Sequence, residues 1–255
     1  MQKIWTSLLL LCCTLTLSAQ QEYPEFALNR GNGLLPGISY GIHLPGGDLD
    51  ERFGSHFSVG GSFDFVTSKN SWLLGVQYNL YFGNNVEENP LTNLVNDEGF
   101  IIANDRTYAD IRLRMRGFYA GAHIGKIISL GFQNPRSGIR VTAGAGLFQH
   151  KIRIQNDPLR TVNQLTGEYE KGYDRLTNGL AFTEFVGYQV LSLNKLINFY
   201  AGFEFTQAFT QSRRAFNFDT RMQDTTERLD LDFGFRVGWV LPFYVGSRAS
   251  EEIYY

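Results

Sequence analysis

The stretch LDLDFGFRVGWVLPFYV, residues 229–245, decides the fold. Leu229, Leu231, Phe233, Phe235, Val237, Trp239, Leu241 and Phe243 hold one parity, and Asp230, Asp232, Gly234, Arg236 and Gly238 hold the other. A period of two is the side-chain period of a β-strand, so this segment has one apolar face and one face of charges and glycines. Such a strand belongs in a barrel wall. Alternation alone leaves open whether the apolar face lies inward, as in a soluble ligand-binding barrel, or outward against lipid.

The same alternation recurs upstream near residues 37–46, 56–67, 71–83, 107–127, 138–153, 177–191 and 197–211, which makes eight strands. In the fourth, Ile111, Leu113 and Met115 give way beyond Gly117 to Phe118, Ala120, Ala122 and Ile124, a change of parity that predicts a β-bulge at Gly117. The sixth is the least regular, because Glu184 sits among Leu180, Phe182, Val186 and Tyr188. Connections alternate long and short, from NNVEENPLTNLVNDEGFIIANDR down to SKNS and LNKL. This rhythm predicts an all-β fold, an eight-stranded antiparallel up-and-down transmembrane β-barrel over residues 35–246, with short periplasmic turns and long extracellular loops.

Three features turn the apolar face outward. The mid-strand charges are Asp64, Arg112, Arg114, Arg116, Arg140, Glu204, Asp230, Asp232 and Arg236, whereas lysines stay in turns or near strand ends. Arginine suits a confined interior because its rigid fork pairs with carboxylates. Gly60, Gly75, Gly144, Gly146, Gly202, Gly234 and Gly238 share the charged parity and leave room for those side chains. Aromatics fall at two levels, with Phe65, Trp72, Phe199 and Phe243 beside the short turns and Phe57, Phe82, Tyr108 and Phe209 beside the long loops. The ten residues from Trp72 to Phe82, at about 3.3 Å each and a tilt near 40°, span roughly 25 Å, the height of a lipid-facing band between aromatic girdles. The expected location is the cell outer membrane. The nine charges are expected to form a lumenal ion-pair network that plugs the barrel, the competing reading being a conducting path.

The ends carry a different kind of information. Residues 1–19, with Lys3, an apolar run over 8–17 and a Ser18-Ala19 exit, read as a secretory signal peptide. Residues 20–34 read as a periplasmic lead and 247–255 as a periplasmic tail. Cys12 and Cys13 lie inside the signal, so the mature chain is expected to lack thiols and disulfides. Its removal leaves 22 basic against 25 acidic residues, a balance that gives no footprint for nucleic acid. His43, His56, His123 and His150 fall on four strands without ligand spacing, so no metal and no cofactor are expected.

The segments GISYGIHLPGG, FYAGAHIG and FYAGFEF, with the signal ending LSAQ, resemble the small outer-membrane β-barrel proteins of Bacteroidota, the PorT-like or outer-membrane-protein β-barrel group. Arg236, Gly238, Leu241 and Phe243 also resemble the C-terminal signal presented to the barrel-assembly machinery, with Pro242 as a departure. The resemblance implies a non-enzymatic structural or accessory subunit of an outer-membrane complex for protein secretion or barrel assembly. Its partners would be outer-membrane lipid, lipopolysaccharide, and other outer-membrane or periplasmic proteins. Adhesion or envelope integrity is an alternative. Another is lipid modification by His56 and Ser58, a His-x-Ser pair that resembles outer-membrane lipid A deacylases but lacks an orienting glutamate. Phe100, Ile101 and Ile102 in the long third loop either dock a partner or fold back on the rim.

Overall fold

The structure, a computed structural model, describes residues 31–130, 136–192 and 197–245. The expected signal peptide, the lead up to residue 30 and the tail lie outside the described residues. Eleven strands are described: β1 (Asn32–Gly47), β2 (His56–Val66), β3 (Trp72–Gly83), β4 (Ile101–Ile102), β5 (Tyr108–Ala109), β6 (Arg112–Ser129), β7 (Gly138–Gln155), β8 (Thr177–Leu191), β9 (Asn198–Ser212), β10 (Glu227–Val240) and β11 (Phe243–Val245). Eight long strands pair with their sequence neighbours, and β10 pairs back onto β1 with Ile38 opposite Trp239 and Leu44 opposite Phe233. Every long strand therefore has two partners and the barrel is closed, which removes the exposed sheet edges that lipid could not satisfy.

Pro242 explains the one break in the closing strand. It has no N–H to give, so β10 stops at Val240 and the line resumes as β11, opposite Asn32 to Leu34. The Leu241 N–H bridges the gap by donating to the Pro36 carbonyl at 2.9 Å. The short β4 and β5 form a separate hairpin in the loop between β3 and β6.

The wall is inverted relative to a water-soluble protein. Leu74, Val76, Val186 and Phe203 stand 54–72% exposed, whereas Asp64, Arg140 and Glu204 are at most 3% exposed. A continuous apolar exterior on a closed barrel is stable only in hydrocarbon. This protein is an integral outer-membrane β-barrel, crossing with strands; no described helix is long and apolar enough to span a membrane.

The bulge expected at Gly117 is not there. Pairing of β6 runs without a break through Gly117, which faces Tyr81 on β3 and His150 on β7. Met115 is buried inside, and Arg112, Arg114 and Arg116 alternate with it on the outer face. The physical reason is height. At 18 residues and about 3.3 Å each, β6 is longer than the bilayer is thick. Above the lipid band the outer face meets water and the inner face meets apolar cap residues, so polarity reverses while the pleat continues. β7 does the same, following Leu147 with Gln149, Lys151 and Arg153 on its outer face.

Two apolar layers stopper the interior. Leu49, Phe53, Tyr81, Met115, Tyr119, Phe148 and Ile152 pack at the loop end. Leu35, Val66, Leu73, Ile127, Leu191 and Val240 pack at the turn end. Single cysteines in a chain whose Cys12 and Cys13 are serine test this geometry in membranes: Val76→Cys and Val237→Cys should resist a water-soluble thiol reagent, and Arg114→Cys should react within minutes.

Candidate functional site

Between the two apolar layers the lumen holds a dry ionic layer. Asp64 pairs with Arg140 at 2.9 Å and with His123 at 2.5 Å, and Arg140 also donates to Gln189 Oε1 at 3.1 Å. Arg236 pairs with Glu204 at 2.5 Å and donates to Gln77 Oε1 at 3.2 Å. Both guanidinium groups lie over the Tyr200 ring, and Arg236 also faces Phe185. Level with the loop-end apolar layer, where His150 touches the Phe53 and Phe148 rings, Asp230 takes hydrogen bonds from Thr210 Oγ1 at 2.6 Å and from His150 at 2.8 Å. His43 and His56 approach Asp232 at 2.7 and 3.3 Å.

Asp64, Arg140, Glu204, Asp230, Asp232 and Arg236 thus come together inside the barrel. Arg112, Arg114 and Arg116 do not: Arg112 has a side chain 63% exposed and pairs with Asp110, outside the lumen. The four histidines complete the network in their stead. Their aspartate partners lie on other strands and emerge only with the register.

Ser58 donates to or accepts from His43 Nε2 at 2.7 Å, and His43 Nδ1 faces Asp232. The order serine, histidine, aspartate has the connectivity of a nucleophile with its base and orienting carboxylate. The proposed partner His56 instead turns Nδ1 to the Gly54 carbonyl at 3.1 Å. Ser58 is 2% exposed, and a Cβ added at Gly41 would sit 2.7 Å from its Oγ.

Above the barrel the long loops are tied by a second ion-pair lattice, absent from the sequence reading. Glu88, from the β3–β4 connection, accepts from Arg52 at 2.7 Å and Arg175 at 2.6 Å. Arg175 also grips both oxygens of Asp219, and Arg214 those of Asp174. Four connections are joined in this way. Burial opposes the charged form of Glu88, yet Arg52 and Arg175 hold its carboxyl below the usual range. A small loop core of Leu91, Ile101, Ile154, Val162, Leu165 and Tyr173 supports the lattice. Ile101 thus folds back, while Phe100 and Ile102 stay about half exposed. Phe100 stacks on Tyr108 at 4.6 Å, so Tyr108 stands in the loop hairpin and not in the barrel wall. These rings border a cleft of about 460 Å³ that also meets Leu91, Asp110 and Arg160.

The other expected girdle residues lie on the barrel strands or, for Phe243, on β11. Phe57 packs on Phe82 and Tyr40 at about 6 Å, and Trp72 receives Lys126 over its ring at 5.7 Å. Phe65, Phe199, Phe209 and Phe243 are 38–55% exposed. A charge breaks the belt: Glu184 points outward in mid-strand, exposed between Phe182 and Val186, opposite Ala143 and Phe205. Beside it Ala120, Ala122, Ala143 and Ala145 make the outer faces of β6 and β7 unusually flat.

The chain matches no protein-family model and no curated protein sequence. Among solved structures it is similar to Ail, the attachment invasion locus protein of Yersinia pestis, at 9% identity and a TM-score of 0.45 over 84% of this chain and 99% of that one. It is also similar to Neisserial surface protein A (12%, TM-score 0.43, 82% and 97%) and to OprG of Pseudomonas aeruginosa (10%, 0.37, 85% and 97%).

Asp64→Ala should strand Arg140 as a buried unpaired charge and destabilise the barrel by about 3–5 kcal/mol, read as a fall in the temperature at which gel migration shifts. The cap should respond to acid. Glu88 has a folded value below its unfolded one, so its contribution is complete above the ordinary carboxylate range and is lost as pH falls through the folded value. Protease resistance of the loops should hold from pH 8 to about pH 5 and fall below about pH 4, with Glu88→Gln susceptible throughout.

Proposed function

We propose that this protein is a non-enzymatic structural or accessory subunit of an outer-membrane protein complex, one serving protein secretion or barrel assembly as the PorT-like resemblance implies. The observation that carries the reading is Glu184. On β8 it lies about 10 Å inward of Leu180 along a strand tilted in the bilayer, with Val186, Tyr188 and Val190 continuing the apolar face below it. A carboxylate on a lipid-facing wall is unfavourable there, and an ionisable residue at such depth points to a partner that pairs it. Among the described residues no cation lies in ion-pair range of it. The neighbouring alanines let another protein's surface approach closely, as small residues do at membrane interfaces. The partner's contribution is then a lysine or arginine on a lipid-facing strand or helix.

The outer leaflet is the second partner. Arg114 faces Arg153 and Arg116 faces Lys151 across β6 and β7, on the outer wall above the lipid band. Like charges directly opposite each other repel. Phosphates of lipopolysaccharide would relieve that repulsion. Adhesion by a barrel acting alone draws instead on the loop cleft with Phe100, Ile102 and Tyr108.

Purification in mild detergent separates these readings. The wild-type chain should bring down a stoichiometric outer-membrane protein, and Glu184→Leu should lose it while the isolated barrel becomes more heat-stable by about 1 kcal/mol. A wild-type chain that always emerges alone would count against the subunit reading.

A further inference from the structure

Asp232, like Asp230, is a carboxylate that the lumenal arginines leave over. Arg140 is held by Asp64 and Arg236 by Glu204, and the groups in ion-pair range of Asp232 are two imidazoles. His43 and His56 are fully buried and Asp232 is 2% exposed. Their ligand atoms all lie within 4.8 Å of one another. Despite that proximity, His43 Nδ1, His56 Nε2 and both Asp232 oxygens have no partner in hydrogen-bonding geometry.

The far sides of both rings are engaged, and for His56 this fixes what faces the carboxylate. His56 Nδ1 meets the Gly54 carbonyl at 3.1 Å, and a carbonyl oxygen only accepts, so Nδ1 carries the proton. In the neutral ring Nε2 then offers a lone pair toward Asp232 Oδ1 at 3.3 Å. His43 Nε2 is occupied by Ser58 Oγ at 2.7 Å, and its Nδ1 lies 2.7 Å from Asp232 Oδ2. The His56 lone pair and the Asp232 carboxylate repel each other in a dry pocket unless a cation sits between them, and buried charges are either paired or bound to metal. A second partner holding the remote nitrogen of a ligand histidine is also the arrangement metal sites use to set the tautomer.

We infer that His43, His56 and Asp232 bind one divalent transition-metal ion, zinc by preference. Two imidazole nitrogens and a carboxylate oxygen are a zinc donor set, with a fourth position for a small ligand. Donor atoms about 2.1 Å from zinc at tetrahedral angles stand roughly 3.3 Å apart, so the 3.3 Å separation of His56 from Asp232 already suits the ion, whereas the 2.7 Å separation of His43 from Asp232 must open as the ion enters. The position gives the ion a task. His43 is on β1, His56 on β2 and Asp232 on β10, so the ion cross-links the first two strands to the last at the seam where the barrel closes. Tyr81 packs edge-on against both imidazoles, and Leu49 and Phe53 belong to the same loop-end cluster as Tyr81. Metal therefore enters before closure and exchanges slowly afterwards.

The test uses the full chain refolded in detergent with zinc or cobalt(II), its folding checked by heat-dependent gel migration. Metal analysis after dialysis should find one zinc per chain, and the cobalt form should show the intense visible bands of tetrahedral coordination. His56→Gln and Asp232→Asn should each weaken binding at least tenfold. His150→Gln, which removes another buried lumenal histidine, should leave it unchanged. Folded wild-type chain that takes up neither metal overturns the proposal, as does undiminished uptake by a folded His56→Gln, Asp232→Asn double variant. If the variants do not fold, the wild-type cobalt spectrum decides, since an octahedral spectrum or none overturns it.

Discussion

Eight strands enclose a space about one side chain deep, and every charge pointing into it must meet its counter-charge within that space because no bulk water is there to solvate it. The Asp64–Arg140 and Glu204–Arg236 pairs are the answer at the barrel's waist. They explain the inward glycines as well. A Cβ added at Gly75 would stand 2.2 Å from Asp64 Oδ1, and one at Gly234 2.6 Å from the His43 ring. Glycine is where the neighbouring strand must give way to a polar side chain that leans over it. The apolar layers above and below keep the ionic layer dry, which strengthens each pair and raises the penalty for any unpaired member.

Height organises the outside as parity organises the cross-section. Between the girdles the exterior is apolar, and above them the same outward steps of β6 and β7 carry Arg112, Arg114, Arg116, Lys151 and Arg153. Higher still, arginine–carboxylate pairs bind the long loops into one platform through Glu88, Arg175, Asp219, Arg214 and Asp174. Loops knit in this way present Phe100, Ile102 and Tyr108 as a fixed surface. Glu184 is the single outward charge of the described mid-strand belt on β8, and its expense in lipid is why the proposed role turns on it.

Residues 107–127 show how a sequence pattern misleads when the medium changes along a strand. The reversal of apolar parity at Gly117 has the form of a bulge, but the register passes through that glycine intact. What reverses is the surrounding medium, lipid to water outside and ionic layer to apolar cap inside. Three arginines were therefore assigned to the lumen that face away from it. Glu184 gives the complementary lesson, since its parity was legible and only its lack of a neighbouring cation required coordinates.

The alternation of one residue type with another fixed the strands, their number, the closed barrel and the medium on each face, because a strand's side chains must alternate and each face must match what it touches. Tertiary structure alone decided which charges meet. His43, His56 and Asp232 are separated by up to 189 positions, and Arg52, Glu88 and Arg175 by up to 123. Strand register and loop folding bring them together, and neither is written in the spacing of residues along one strand.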